Sequence, residues 1–185
     1  MLKPVELPTF VVIMAGGEGN RLRPLTENCP KPMLKIGDKP ILEIILEQCI
    51  EAGFQKYYIS VNYLKDKIIS HFQDGSKWGV GIQYLEEKQP LGTAGALSLL
   101  PVEPTNPLLV INGDVLTRTD LNKMMLFHEQ QQAKATICVR SHETEIPYGV
   151  ITTEGQQAIQ LKEIPVLRHQ INAGPARQLN TPIIF

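Results

Sequence analysis

The stretch that decides the fold is residues 10–22, which read Phe-Val-Val-Ile-Met-Ala-Gly-Gly-Glu-Gly-Asn-Arg-Leu. The apolar run at its start, rich in β-branched residues, ends at a pair of glycines, which predicts a buried parallel strand. Similar runs at 57–61 and 107–111 alternate with amphipathic stretches at 41–49, 64–72 and 120–132, the last with Thr119 as its expected N-cap. This alternation predicts an α/β fold, doubly wound around a mostly parallel sheet.

The rest of the chain extends the same pattern. Further strands are expected at 81–85, 135–139, 150–153 and 159–161, and a short helix at 93–100. Residues 1–8 contain two prolines and are interpreted as a leader or linker remnant. Residues 9–174 are interpreted as one domain and residues 175–185 as an atypical tail. Residues 175–182 have neither helical nor strand period, and the chain stops at Phe185 in what would be half a strand.

Composition excludes several classes of protein. A net charge of -1 gives no basic surface for nucleic acid or an anionic membrane, so neither is expected as a partner. No run approaches the roughly 18 apolar residues that span a bilayer. The three cysteines, Cys29, Cys49 and Cys138, have neither zinc nor disulfide spacing. Together these features predict a cytoplasmic protein.

The glycine-rich loop that follows the first strand is suited to holding an anion. Glycines let the backbone approach a ligand and direct several N–H groups at it. The carboxyl end of a strand is also where open α/β sheets bind ligands. The loop lacks the Gly-Lys-Ser/Thr of a Walker motif, and Leu22 stands where a dinucleotide fingerprint that starts at Gly17 needs a third glycine. A glycine-rich turn without a ligand is the alternative interpretation of these residues.

The segment after the glycines favours a phosphate ligand. Arg23-Pro24-Leu25-Thr26 and Pro30-Lys31-Pro32-Met33-Leu34 form a long loop stiffened by proline, which loses less entropy when it closes on a ligand. Arg21 and Lys31 add two cations beside the glycine amides. This combination predicts binding of a triphosphate whose charge must be met during transfer.

These motifs resemble the signature of the sugar-1-phosphate nucleotidyltransferases. The resemblance covers about residues 9–174 and continues in order after the first loop, through Pro40-Ile-Leu-Glu, Leu91-Gly-Thr-Ala-Gly-Ala, Asn112-Gly-Asp, Tyr148-Gly-Val and Asn172-Ala-Gly. It implies a Rossmann-like, glycosyltransferase-A-like core. It also implies transfer of a nucleotidyl group from an NTP to a sugar 1-phosphate, with release of pyrophosphate.

The resemblance assigns expected roles to the charged residues. Arg21 and Lys31 match the catalytic cations that contact the phosphates, and Asp114 matches the carboxylate that binds Mg²⁺. A turn-forming Asn-Gly-Asp without a metal is the alternative for Asp114. In the family a second metal carboxylate lies further along than this chain extends, so the chain is expected to be C-terminally truncated.

The resemblance also implies a nucleotide-binding set, namely Ala15, Gly16, Gly17, Gly19, Glu87, Gly92 and Thr93. Glu87 aligns with a base-reading position. A carboxylate there can accept from the two adjacent N–H donors of guanine, which favours GTP. A solvated Glu86-Glu87-Lys88 charge cluster is the alternative interpretation.

The sugar-binding set implied by the resemblance is Tyr148, Gly149, Glu163 and Asn172. The family usually has Glu-Lys-Pro where this chain has Glu163-Ile164-Pro165, so the lysine that would hold the sugar phosphate is absent. Lys162 would face the other side of a strand, and Arg168 is a candidate replacement. The second hypothesis is therefore a module that binds nucleotide but is catalytically impaired. A homo-oligomer is left open, and Trp78 is expected to pack rather than stack on a base.

Overall fold

The structure is a computed structural model that describes residues 7–92, 95–172 and 183–184. Its contacts divide the chain into unit 1, Met1–Ile137 together with Gly174–Phe185, and unit 2, Cys138–Ala173. The described elements of unit 1 are β1 (Leu7–Met14), β2 (Lys35–Ile36), β3 (Lys39–Pro40), α1 (Ile41–Glu51), β4 (Phe54–Val61), α2 (Lys65–Phe72), β5 (Gly81–Glu86), β6 (Leu108–Asn112), α3 (Leu121–Gln130) and β7 (Ala135–Thr136). Those of unit 2 are β8 (Val139–Glu145), β9 (Val150–Glu154), β10 (Gln157–Lys162) and β11 (Val166–Asn172), and β12 (Ile183–Ile184) returns to unit 1.

Unit 1 is built on a parallel sheet with the strand order β5-β4-β1-β6-β12-β7. Every neighbouring pair in this sheet is parallel. β1 lies inside it, and its Val12 pairs with Tyr58 on one side and Val110 on the other. Val11, Val12 and Ile13 have no exposed surface, because both faces of the sheet are covered. The predicted α/β fold with a parallel sheet is confirmed.

The two faces of the sheet are covered by different elements. One face packs against α1, α2 and α3, with Leu46 and Phe72 fully buried among its side chains. The opposite face packs against Leu97 of a short 3-10 turn, Gly95–Leu99. The helix expected at 93–100 is therefore observed as this 3-10 turn at Gly95–Leu99. Residues 93–94 lie outside the part of the chain that the structure describes. No helix in the described part of the chain is long and apolar enough to cross a membrane.

Several boundaries in unit 1 differ from those predicted by one to three residues, and two of the differences involve a predicted N-cap and the predicted leader. α3 begins at Leu121, and its N-cap is Asp120, whose carboxylate accepts from the Lys123 N–H at 3.0 Å, so the expected cap at Thr119 is wrong. β1 begins at Leu7, so the last two residues of the expected leader are in a strand. At the other end, the two residues of β12 pair with β6 and β7.

Unit 2 consists of two antiparallel ribbons, β8 with β11 and β9 with β10. The sequence predicts β9 and β10, but it misses β8 and β11, because β8 is a polar run with no apolar alternation. The single strand expected at 135–139 is also wrong: β7 ends at Thr136 and β8 begins at Val139. Within this unit the Ile146 N–H donates to the Pro165 carbonyl at 3.1 Å, which continues the pairing of β8 with β11 by one residue.

Candidate active site

The glycine-rich loop and Asp114 meet at the carboxyl ends of β1 and β6. The chain leaves β1 toward β4 on one side, while β6 lies on the other side, so this is the point at which the strand order reverses. The Ala15 N–H donates to the Ser60 carbonyl at 3.1 Å, which holds the start of the loop against β4. The Gly113 N–H donates to the Met14 carbonyl at 2.8 Å, which holds the end of β6 against β1.

Gly113 sets the distance between these two strand ends. A Cβ atom at this position would lie 3.0 Å from the Met14 carbonyl oxygen and 3.2 Å from the Ala15 Cβ. Only a glycine fits there without a shift of the backbone, and the fit delivers Asp114 to the edge of the glycine-rich loop.

The loop folds back on itself around Gly19. Gly19 has φ +65°, in the left-handed region that favours glycine, and a Cβ there would lie 3.1 Å from both Thr26 Cγ2 and Lys31 Cβ. The Thr26 hydroxyl donates to the Gly19 carbonyl at 2.9 Å, and Thr26 is only 1% exposed. These contacts hold the glycines against the segment that carries Lys31.

The outer arm of the loop is attached to the region around α2. The Tyr63 hydroxyl donates to the Glu27 carbonyl at 2.7 Å. The Lys67 ammonium donates to the Asn28 carbonyl. Two carbonyls of an irregular segment thus have side-chain donors, which fixes the path of the chain into the turn at Lys31–Met33.

A groove opens over this framework. Its larger part, about 530 Å³, is lined by Gly16, Gly17, Glu18, Gly19, Asn20, Arg21, Leu22, Lys31, Pro90 and Asp114. A neighbouring part of about 260 Å³ is lined by Met14, Gly16, Gly17, Ser60, Glu87, Pro90, Gly92, Asn112 and Asp114. The two parts adjoin and form one groove, because four residues line both of them, namely Gly16, Gly17, Pro90 and Asp114.

Lys31 and Asp114 form an ion pair inside the groove. The Lys31 Nζ lies 2.6 Å from Asp114 Oδ2, and the two side chains are 32% and 29% exposed. The described residues contain no group of three His, Cys, Asp or Glu side chains placed to hold a metal. A hard cation such as Mg²⁺ is compatible with this donor set, since it takes one or two carboxylates and completes its shell with phosphates and water. Arg21 is exposed and lines the same groove.

Glu87 lies at the far side of the groove, against Gly16. Its Oε1 would lie 2.8 Å from a Cβ on Gly16, so the absence of a side chain at Gly16 makes room for this carboxylate. Its Oε2 accepts from the Leu91 N–H at 3.0 Å, and its backbone carbonyl accepts from the Asn62 amide at 2.7 Å. Oε1 and the second lone pair of Oε2 remain for other donors. Glu87 is therefore a positioned carboxylate and not part of a freely solvated cluster.

The structure brings most of the expected phosphate and nucleotide residues together. Gly92 lines the groove with φ +78°, whereas Thr93 lies outside the described residues. Sequence reasoning missed Thr26, whose hydroxyl donates to the Gly19 carbonyl, and Ser60, whose carbonyl and hydroxyl oxygens both accept from the Ala15 N–H. Asn62 was also missed, although a polar residue at the carboxyl end of β4 is a recognisable signal in an α/β sheet.

The expected sugar-binding residues all lie in unit 2. Val150 pairs with Lys162, so Tyr148, Gly149 and Glu163 share the open end of the β9–β10 ribbon. Asn172 lies on the other ribbon, six residues beyond Val166, or about 20 Å along the strand. The structure groups the first three and separates Asn172 from them. Ile164 is 55% exposed with φ +44°, and Arg168 is paired with Glu143 at 2.8 Å.

A second cavity lies apart from the groove, between α1 and the segment that leads into α3. It measures about 270 Å³ and shares no lining residue with the groove. Cys49 lines it and is 1% exposed. Burial raises the pKa of the Cys49 thiol to about 12, so this cysteine is protonated at neutral pH and is not a nucleophile. Trp78 stacks on Phe72 at 5.3 Å, a packing role as expected.

The chain is similar in sequence to curated nucleotidyltransferases. Mannose-1-phosphate guanylyltransferase catalytic subunit beta of Xenopus tropicalis is 36% identical over 149 residues, which cover 78% of this chain and 41% of the relative. UTP--glucose-1-phosphate uridylyltransferase of Synechocystis sp. is 32% identical over 189 residues, covering 93% and 47%. The chain thus spans less than half the length of these two curated relatives.

The solved structures agree in fold. HddC from Yersinia pseudotuberculosis, crystallised in complex with GMP-PN, superimposes with a TM-score of 0.65 and 26% identity, covering 89% of this chain and 74% of that chain. The family model described as nucleotidyl transferase matches residues 10–174. The chain belongs to the nucleotidyl transferase family.

Proposed function

We propose that this chain binds a nucleoside triphosphate, with GTP favoured, and transfers its nucleotidyl group to a sugar 1-phosphate. An oxygen of the sugar phosphate attacks the α-phosphorus, the bond from that phosphorus to the β-phosphate oxygen breaks, and pyrophosphate leaves. No covalent enzyme intermediate is needed, since positioning and charge neutralisation are sufficient for this chemistry.

The observation that carries the proposal is the convergence of glycine amides, two cations and a carboxylate on one groove. Gly16 and Gly17 contribute backbone without side-chain bulk, and a Cβ on Gly17 would meet nothing within 4 Å. Lys31 and Arg21 line the same space. In this proposal they neutralise the charge that develops on the phosphates, and the loss of either costs on the order of 3 kcal/mol of barrier.

Mg²⁺ is the proposed cofactor, with Asp114 as its protein ligand. Bound there, the ion would supply positive charge to the phosphate oxygens. Asp114 follows directly from the strand end fixed by Gly113, so its carboxylate is positioned before any ligand arrives. The remaining ligands are proposed to be phosphate oxygens and water, as is usual for this ion.

GTP is favoured because of Glu87. The proposed base contact pairs the free lone pairs of this carboxylate with the adjacent N–H donors on the guanine edge. Two comparisons support the choice: the Xenopus tropicalis relative is named a guanylyltransferase, and HddC has been crystallised with GMP-PN. The proposed nucleotide contacts also include Ala15, Gly19, Gly92 and Thr93.

The sugar 1-phosphate is assigned to Tyr148, Gly149, Glu163 and Asn172 as a proposal that rests on the motif resemblance. One observation favours a second candidate function, a module that binds nucleotide without turnover. Ile164 places an apolar, exposed side chain at the position where the motif has a lysine, and Arg168 is already paired with Glu143. We also propose a cytoplasmic location, because the three cysteines have no disulfide spacing. Whether the chain forms a homo-oligomer is left to be measured.

Pyrophosphate release separates the two functions. The chain is incubated with Mg²⁺, each of four NTPs and a panel of sugar 1-phosphates, and pyrophosphate is measured enzymatically. Release that requires both substrates and is highest with GTP supports transfer. Triphosphate binding without release with any pair supports the second function.

A matched pair of variants shows whether the released pyrophosphate comes from this chain or from a contaminating enzyme. Lys31→Met removes the proposed catalytic cation and should lower release about 100-fold, the equivalent of roughly 3 kcal/mol. Lys35→Met changes an exposed lysine four residues later, outside the groove, and should leave release unchanged. Equal rates for the two variants would contradict the assigned role of Lys31.

A further inference from the structure

The ion pair between Lys31 and Asp114 joins two groups with different expected partners. Lys31 is proposed to contact phosphate and Asp114 to bind a metal, yet the two side chains pair with each other at 2.6 Å. The two residues are 83 positions apart in sequence, so only the fold brings them together. The Lys31 ammonium thus lies where a cation bound to this carboxylate would lie.

We propose that Lys31 is a built-in counter-ion of Asp114, and that its transfer to the triphosphate makes nucleotide and divalent cation bind cooperatively. This inference rests on the proposed function and deepens it, because it states an order of events in the groove. The free protein holds a metal weakly, and the triphosphate draws Lys31 away and leaves the carboxylate available.

Charge gives the physical reason. A divalent cation that binds Asp114 in the free protein must displace the lysine or remain beside it, and either change costs free energy. A triphosphate carries enough negative charge to accept both Lys31 and the metal. The pair is about one third exposed, so solvent screening limits the effect to about three- to tenfold in metal affinity. By linkage, the metal must then increase triphosphate affinity by the same factor.

The location of Lys31 allows the transfer. The Lys31 Cβ lies 3.1 Å from where a Cβ on Gly19 would be, so the Lys31 side chain begins beside the glycine-rich loop. Pro30 precedes it and Pro32, which is buried, follows it, which holds the backbone while the four-carbon stem turns. The side chain can therefore move between Asp114 and the loop without a backbone rearrangement.

The test measures metal binding without nucleotide. Mn²⁺, which prefers the same oxygen ligands as Mg²⁺, is titrated into the full chain, and free Mn²⁺ is measured by electron paramagnetic resonance. Lys31→Gln should bind Mn²⁺ about three- to tenfold more tightly than the wild type. Lys31→Arg keeps the positive charge and should remain as weak as the wild type, and Lys35→Gln should not differ from it. The double variant Lys31→Gln/Asp114→Asn should lose the gain.

Equal Mn²⁺ affinity of Lys31→Gln and the wild type, including no binding to either, overturns the inference. So does tighter binding by Lys31→Arg, which would show that the size and not the charge of the side chain matters. Urea unfolding of each variant shows that it is folded. Failure of the proposed function is distinguishable, because it appears as absent pyrophosphate release while the Mn²⁺ result for Lys31→Gln is unaffected.

Discussion

Thr26 provides the most specific prediction, because its buried hydroxyl connects the glycines of the glycine-rich loop to the segment that carries Lys31. Thr26→Val removes the hydrogen bond to the Gly19 carbonyl, which is worth about 1 kcal/mol. The Leu22 N–H also donates to this carbonyl, at 2.9 Å, so the oxygen keeps a partner and the full penalty of an unsatisfied group does not apply. The unfolding free energy should therefore fall by about 1 kcal/mol.

Nucleotide binding should change as well. A methyl group in place of the hydroxyl would meet the Gly19 oxygen at 2.9 Å, well inside the ordinary carbon–oxygen contact of about 3.3–3.6 Å. The loop must move by a few tenths of an ångström, and part of its preorganisation is lost. About 1 kcal/mol of lost preorganisation corresponds to a roughly fivefold weaker Kd for a non-hydrolysable GTP analogue, measured by titration calorimetry.

Thr26→Ser is the matched control. It keeps the hydroxyl and removes the methyl group, so it should lose a similar stability, about 1 kcal/mol, from reduced apolar burial. Its Kd for the analogue should stay within about twofold of the wild type. If both variants weaken binding equally, or if Thr26→Val binds like the wild type, the hydrogen bond does not preorganise the loop and the reasoning is wrong.

Three other changes test separate parts of the account. Gly113→Ala should lower the unfolding free energy by about 1–3 kcal/mol through its close contact with the Met14 carbonyl, and Gly17→Ala, which meets nothing, should not; urea denaturation compares them. Glu87→Gln should reduce the preference for GTP over ATP by about tenfold in competition binding, while Glu86→Gln, on an exposed neighbour, leaves it unchanged. Burial raises the Cys49 pKa from 9.0 to about 12, so the stability that comes from a protonated thiol is complete below pH 9 and is lost toward pH 12. The urea midpoint should thus fall further between pH 8 and pH 11 in the wild type than in Cys49→Ala.

The central strands and the glycine-rich loop between β1 and Lys31 could be predicted because their signals are local. The apolar run at 10–14 is short, rich in β-branched residues and bounded by glycines, and these local features favour a buried strand followed by a turn. Asp114 follows the apolar run at 107–111, so its place after a strand is also a local signal, whereas its meeting with the glycine-rich loop depends on the pairing of β1 with β6.

The features that the sequence could not predict depend on the path that the backbone takes in the folded chain. Nothing local distinguishes the buried hydroxyl of Thr26 from any other threonine in a loop, and the bond to Gly19 exists only once the loop is closed. Thr119 and Asp120 are both good N-caps, and only the path of the chain out of β6 decides between them. The polar strand β8 has no buried face in the described structure, so no period marks it.

The most direct test of the central claim is the position of the phosphates in a crystal structure of this chain with a non-hydrolysable GTP analogue and Mg²⁺. Phosphate oxygens should lie within hydrogen-bonding distance of the Gly16 and Gly17 amides and of the Lys31 ammonium, with Asp114 directed at the metal. Phosphates bound elsewhere, or a Lys31–Asp114 pair still closed at 2.6 Å with the analogue in the groove, would contradict this claim.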